Sequence, residues 1–318
     1  MPYQFDPEFV KALGFLKDNP IDDAVASRVR YEQTIQALTP DLDTSGLTII
    51  DKKIPGYQSD SEVPIRVYIP DNIEKPGPAL LDIHGGGFVI GSIETEHAVA
   101  VRFAKSLGVI VVSVDYRLAP EHPFPAGLHD CYAALKWMHS QAKELSIDRN
   151  KIGVYGVSAG GGLAAGLTFL ARDMGGPDIC FQCLNIPELD DRLETESAKQ
   201  FVDTPVWNRP KALTSWRYYL GEEYSRGSDD VPEQAAPARA KDLRDLPPAF
   251  VSAMEFDPLR DEDVAYALRL MQSGVQTELH SYPGTFHGSS MFPAEVTKRQ
   301  SADMLGALRR GLKIKSDK

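Results

Sequence analysis

The chain has no run of 18 apolar residues, so no membrane-spanning helix is expected. Its first residues, Met1-Pro2-Tyr3-Gln4-Phe5-Asp6-Pro7, lack a basic stretch followed by an apolar core, so a secretory leader is not expected and a cytoplasmic location is. Cysteine is scarce: Cys131, Cys180 and Cys183, an odd set that suits reduced thiols rather than a disulfide framework. Positive charge is also in deficit. The 34 basic residues are outnumbered by 45 acidic ones, giving a net charge of −11, so nucleic acid and anionic membrane surfaces are poor partners. No internal repeat, low-complexity tract or metal-ligand cluster is evident, and no cofactor is implied. Cys180-x-x-Cys183 falls in a strand-like segment, where residues three apart face opposite sides. It is therefore expected to be two buried thiols, not a redox or metal pair.

What the 318 residues do contain is an alternation of strand and helix patterns. The first ~45 residues suggest two amphipathic helices separated by Asp18-Asn19-Pro20, with Asp6-Pro7 as a cap and first turn. Strands are expected at Leu47 to Lys52, Val63 to Ile69, Ala79 to Ile83, Val109 to Val114, Lys151 to Tyr155, Ile179 to Leu184, Ala249 to Met254 and Val275 to Tyr282. Helices are expected near Glu94 to Leu107, Ala126 to Lys143, from Ala159 onward, Asp261 to Gln272 and Ala294 to Arg310. The near-continuous apolar run at 109–114 belongs to a sheet covered on both faces. The pattern predicts an α/β fold whose ligands bind beyond the carboxyl ends of the strands. Pro187 to Pro247 is far longer than a crossover needs, so it must hold an insertion. The expected units are 1–45, 46–186, 187–245 and 246–318.

Two motifs sit at expected strand ends. Gly156-Val157-Ser158-Ala159-Gly160 has the Gly-x-Ser-x-Gly spacing of a serine on a sharp strand-to-helix turn. Such a turn lifts the hydroxyl clear of the sheet and leaves no room for side chains two residues to either side. The alternative for this pattern alone is a Gly-rich packing contact. His84-Gly85-Gly86-Gly87 follows another strand and removes every side chain from one place on the rim, leaving backbone N–H groups that can approach an oxyanion. A flexible loop is its plainer reading. Serine needs a base. Of the seven histidines, His84 belongs to the glycine turn and anchors it. His97, His129 and His139 fall on helices, His122 in a Pro-rich loop and His280 within a strand. His287 stands in a loop just past the last strand. Glu255, Asp257 and Asp261 compete to orient it. Asp257 precedes Pro258 in a loop, whereas Asp261, Glu262 and Asp263 suit the first turn of a helix.

With these pieces in place, the sequence resembles the hormone-sensitive-lipase branch of the α/β-hydrolases. The resemblance rests on His84-Gly85-Gly86-Gly87-Phe88, Asp115-Tyr116-Arg117-Leu118-Ala119-Pro120-Glu121, Pro123-Phe124-Pro125-Ala126, Gly156-Val157-Ser158-Ala159-Gly160-Gly161, Asp257-Pro258-Leu259-Arg260-Asp261 and His287-Gly288. It implies an eight-stranded, mostly parallel sheet with helices on both faces and a helical cap built from the N-terminal segment and the insertion. It further implies a serine carboxylesterase acting on a small ester through an acyl-enzyme. Ser158 is then the nucleophile, His287 the base and Asp257 its partner, with the N–H groups of Gly86, Gly87 and Ala159 as the oxyanion hole. His84, Gly85, Gly156, Gly160 and Glu121 would be scaffold. Phe88, Val157 and Leu259 are candidates to contact substrate, and the resemblance extends to a homodimer. Lactone or amide cleavage by the same residues is the main alternative; a receptor without catalysis is disfavoured by the presence of His287. Two positions depart from the family pattern: Val157 stands where an acid is frequent, and Ser289 where phenylalanine is frequent. Gly160-x-Gly162-x-x-Ala165 mimics a dinucleotide fingerprint, but the turn it would need is already occupied by Ser158, so these glycines are expected to serve helix packing. Glu188, Asp190 and Asp191 are expected to be solvated charges or loop anchors. Phe201, Trp207, Trp216, Tyr218 and Tyr219 could line the pocket or pack the cap, and most are expected to pack it.

Overall fold

Successive side chains of one strand point to opposite faces, and the central strands use this to feed two cores. Ile110, Val112 and Val114 enter one hydrophobic cluster, and Val109 and Val111 enter another on the opposite face. The computed structural model describes residues 3–14, 16, 20–39, 42–58 and 61–315. Eight strands form one sheet: β1 (Leu47–Pro55), β2 (Glu62–Pro70), β3 (Gly77–Ile83), β4 (Ile110–Val114), β5 (Ile147–Val157), β6 (Phe181–Asn185), β7 (Ala249–Phe256) and β8 (Thr277–Phe286). Their order is β1-β2-β4-β3-β5-β6-β7-β8. Only β2 runs against its neighbours; β4, β3 and β5 to β8 are parallel.

The helices are α1 (Val10–Leu13), α2 (Ala24–Leu38), α3 (Ile93–Leu107), α4 (Ala126–Ser140), α5 (Ala142–Leu145), α6 (Ala159–Asp173), α7 (Glu196–Gln200), α8 (Arg209–Leu220), α9 (Arg260–Gln272) and α10 (Glu295–Gly311). α3 and α10 cover one face of the sheet with Phe103, Leu107, Met304 and Leu308. α4, α6 and α9 cover the other with Leu135, Leu163, Leu167 and Leu270. Local chemistry fixes the ends. Ser92 and Thr95 form a reciprocal capping box that starts α3, and Gly108 ends it in the left-handed conformation at φ 65°. Between β6 and β7 the chain carries α7, α8 and a 3₁₀ turn at Pro237–Arg239.

Four expectations need correction. Among the described residues before α2 there are only a 3₁₀ turn at Pro7–Phe9, capped by Asp6, and the single turn α1; Asp18 and Asn19 lie outside the described residues. α2 is not amphipathic as expected, because its Val25, Val29 and Leu38 are exposed while Ser27 is buried. The segment expected as one helix from Ala126 to Lys143 breaks at Gln141 into α4 and α5. β6 begins at Phe181, so Cys180 lies before the pleat, and both thiols pack against the same cluster, unbonded to each other.

Candidate active site

Ser158 lies between the end of β5 and the start of α6, with backbone angles φ 56° and ψ −123°. A non-glycine residue in that region is strained and persists only where the surroundings enforce it. Here the enforcement is close packing. A Cβ on Gly160 would lie 2.2 Å from the Ile83 carbonyl oxygen and 2.4 Å from that of His84, so α6 can press against the end of β3 only through glycine. Gly156 likewise faces the Gly160 carbonyl, and Gly162 faces that of Glu188, which accounts for the later glycines as packing residues.

The strained serine meets its partners. Ser158 Oγ is 2.9 Å from His287 Nε2, and His287 Nδ1 is 2.7 Å from Asp257 Oδ2. Asp257 is fully buried, yet its other oxygen accepts the Leu259 N–H at 2.9 Å. A buried carboxylate held by an N–H donor and an imidazole fixes both the tautomer and the ring orientation of that imidazole. Ser158 and His287 are only 6% and 5% exposed. β8 extends through Phe286, so His287 is the first residue beyond the strand. Glu255 is otherwise engaged, accepting the Gly284 N–H at 2.6 Å, and Asp261 accepts that of Ser197 at 2.8 Å.

The glycine turn is pinned on its carbonyl side. A peptide is planar, so fixing a carbonyl aims the next residue's N–H the opposite way. The Gly85 carbonyl lies 2.8 Å from His84 Nδ1, and this fixes the Gly86 N–H. The Gly86 carbonyl accepts from the Val89 and Ile90 N–H groups, at 3.1 and 2.9 Å, and this fixes the Gly87 N–H. The Ser158 carbonyl accepts from the Gly162 and Glu188 N–H groups, each at 3.0 Å, and this fixes the Ala159 N–H. His84 itself is buried, stacked on Tyr116 at 4.1 Å, and held to about 4 by that burial, so it stays neutral. Tyr116 donates its hydroxyl proton to the His84 carbonyl.

The remaining candidates divide. Phe88, at φ 59°, stacks on Tyr219 at 3.8 Å and packs against Trp216 beside the turn. Val157 packs into the clusters around the strand and against Gly85. Leu259 is a core residue that reaches the site only through its backbone N–H. Glu121 is 46% exposed on its side chain and pairs with Arg28 of α2 at 2.6 Å. It therefore ties the N-terminal segment down at a distance from the chemistry. Ser289 is buried, with its hydroxyl toward Met254 Sδ.

Sequence reasoning left Trp207 between lining the pocket and packing the cap, and missed the aromatics before the two catalytic loops. Trp207 sits 5.8 Å from the His287 ring, and a Cβ on Gly87 would lie 2.4 Å from its Cη2. A three-residue turn holds it there, with the Trp207 N–H on the Pro205 carbonyl at 2.7 Å and Val206 at φ 64°. Phe256 and Phe286, the residues before Asp257 and His287, both pack on Phe5, at 5.2 and 5.4 Å. The aromatic immediately before each loop was the available signal. The three acids after β6 are not solvated: Asp191 pairs with Arg239 at 2.5 Å, Asp190 with Arg192 at 2.7 Å, and all three carboxyls are buried. The reason is that this segment turns inward under α8 and α9 rather than across the surface.

Comparison with known proteins agrees with this geometry. A family model described as an alpha/beta hydrolase fold matches residues 80–291. The carboxylesterase NlhH of Mycobacterium tuberculosis is 39% identical over 290 residues, covering 90% of this chain and 88% of that one. An arylesterase of Saccharolobus solfataricus is 38% identical over 257 residues, covering 78% and 79%. The solved structure of a bacterial heroin esterase superposes with a TM-score of 0.95 at 52% identity, covering 97% of this chain and 98% of that one. The chain therefore belongs to the α/β-hydrolase fold family, in the hormone-sensitive-lipase branch its motifs resemble. It is a carboxylic ester hydrolase. Among the described residues, no helix is long and apolar enough to cross a membrane.

Proposed function

We propose that the protein is a serine carboxylesterase for small esters of short-to-medium acyl chain, working through an acyl-enzyme. The observation that carries this is the continuous chain from Ser158 Oγ to His287 Nε2 at 2.9 Å and from His287 Nδ1 to Asp257 Oδ2 at 2.7 Å. His287 takes the Ser158 proton as Oγ attacks the ester carbonyl, and then delivers it to the leaving alkoxide. Water repeats the sequence on the acyl-enzyme. Asp257 stabilises the imidazolium that forms in between. Charge developing on the carbonyl oxygen is met by the N–H groups of Gly86, Gly87 and Ala159, the last at the start of α6 where a helix leaves its donors unused. The pinning of all three peptide planes supports this role, because donors that need no reorientation stabilise the transition state most. The N-terminal segment through residue 45 and the insertion at 187–245 act as the cap. The apolar surroundings of the turn, Phe88, Trp216 and Tyr219, favour a compact acyl group. In support, one relative is named an ethyl acetate hydrolase, from Pseudomonas putida.

The test is hydrolysis of p-nitrophenyl acetate and butyrate by wild type and Ser158→Ala. Loss of the serine should lower kcat by at least about 10³-fold. An organophosphate should add the mass of its phosphoryl group, less the departing leaving group, to wild type and not to the variant. Turnover that survives Ser158→Ala would remove the serine from the mechanism.

A further inference from the structure

Glu188 follows β6, and its N–H donates to the Ser158 carbonyl at 3.0 Å. Its carboxyl is fully buried, and among the described residues neither oxygen accepts a hydrogen bond, the adjacent Ser215 hydroxyl being turned to the Gly87 carbonyl. The basic residues of this segment are already committed, Arg192 to Asp190 and Arg239 to Asp191. An ionised carboxylate without cation or donor is too costly to keep in such a place, so the group is a neutral acid. The same burial, with the Asp257 charge nearby, pushes it up to about 8, and the adjacent Ser215 hydroxyl offsets this only in part. Ser215, on α8, is itself buried and donates to the Gly87 carbonyl at 2.9 Å. Its oxygen retains lone pairs for a proton from Glu188.

We infer that Glu188 is a positioning residue for ester hydrolysis, holding the glycine turn through Ser215 while its backbone holds the peptide that aims the Ala159 N–H. As an acid it leaves the Ser215 proton on Gly87. Once ionised it competes for that proton and places a negative charge beside the site where the ester oxygen becomes negative. The groups facing it are Ser215 and Tyr219 from α8, Asp257 from the loop after β7 and Glu262 from α9. Tyr219 and Glu262 are themselves driven well above their ordinary ranges by burial. The inference predicts that kcat/KM falls as pH rises through about 8.

The inference rests on the esterase reading, and its test separates the two. Ethyl butyrate hydrolysis is followed by pH-stat from pH 6 to 9.5 in wild type, Glu188→Gln and Glu188→Ala. The alanine variant should lose about tenfold in kcat with little change in KM, since it loosens a donor turn without removing a donor. The glutamine variant, which can still donate to Ser215, should recover most of that loss and show no alkaline fall. An alkaline fall that persists in Glu188→Gln overturns the inference. If the alanine variant does not fold, the glutamine profile decides alone. Infrared difference spectra at pH 6 give a readout free of activity. The wild type minus Glu188→Gln difference should hold a protonated-carboxyl band beyond those that Asp82 and Glu262 give in both proteins, and its absence from that difference overturns the inference. Wild type that hydrolyses no ester, yet shows the band, would sink the esterase reading and leave the neutral acid in place.

Discussion

The sheet side of the site and the insertion facing it are built by opposite means. On the sheet side the groups are set by backbone: a strained Ser158, three consecutive glycines and carbonyl-pinned peptides. On the insertion side they are set by bulky side chains, Trp207, Trp216 and Tyr219, and by buried acids. Backbone devices tolerate almost no substitution, because the clash is with main-chain atoms that cannot move aside. Side-chain devices can be repacked, which makes the insertion the place where related enzymes can diverge in what they admit.

The largest effect is expected where the backbone devices meet. Gly160→Val would drive a side chain into the Ile83 and His84 carbonyls, so α6 must separate from β3. We expect loss of more than about 10³-fold in activity or failure to fold, read by esterase assay and thermal melting. A variant that stays active would show that the elbow yields more than a backbone device should.

A smaller effect tests the core beneath the rim. Asp82, on β3, is buried beside Glu96, accepts the Ser113 hydroxyl proton at 2.6 Å and is pushed up to about 7 by burial. Its folded value lies above its unfolded one. Below about pH 4 both states are protonated and there is no penalty. As pH rises from there toward about 7 the unfolded chain ionises first and stability is lost. Asp82→Asn should remove that slope, gaining about 2 kcal/mol on wild type between pH 5 and pH 8 in urea denaturation. A parallel pair of pH curves would contradict it.

The smallest effect is expected on the insertion side. Trp207→Ala opens space beside Gly87 and His287 without touching the backbone. The ratio of kcat/KM for octanoate to that for acetate should rise about tenfold, with the protein still folded. An unchanged ratio would mean that Trp207 only packs, and that the insertion side is as fixed as the sheet side.

The same contrast explains what could be read in the sequence. The positions of the strands, Ser158, Asp257 and His287 were legible because strain, tight turns and strand-end loops leave glycine and proline signatures in consecutive residues. The insertion was legible in extent but not in its contacts. Trp207 reaches His287 across 80 positions through a turn with no glycine, and nothing near Glu188 in the chain announces that its neighbourhood lacks a cation. Val25 and Val29 misled for a related reason: periodicity records which residues could be buried, and among the described residues that face of α2 stays largely uncovered.

Phe5 and Phe9 meet Phe286 edge to face, and Phe5 meets Phe256 the same way, while the Asp6 N–H donates to the Gly284 carbonyl. The start of the chain is thus wedged behind the two loops that carry Asp257 and His287. A fusion partner joined at that end would strain this wedge. Purification tags there should disturb activity more than tags joined after α10, whose last turns, at Ala307 and Leu308, pack into a different cluster.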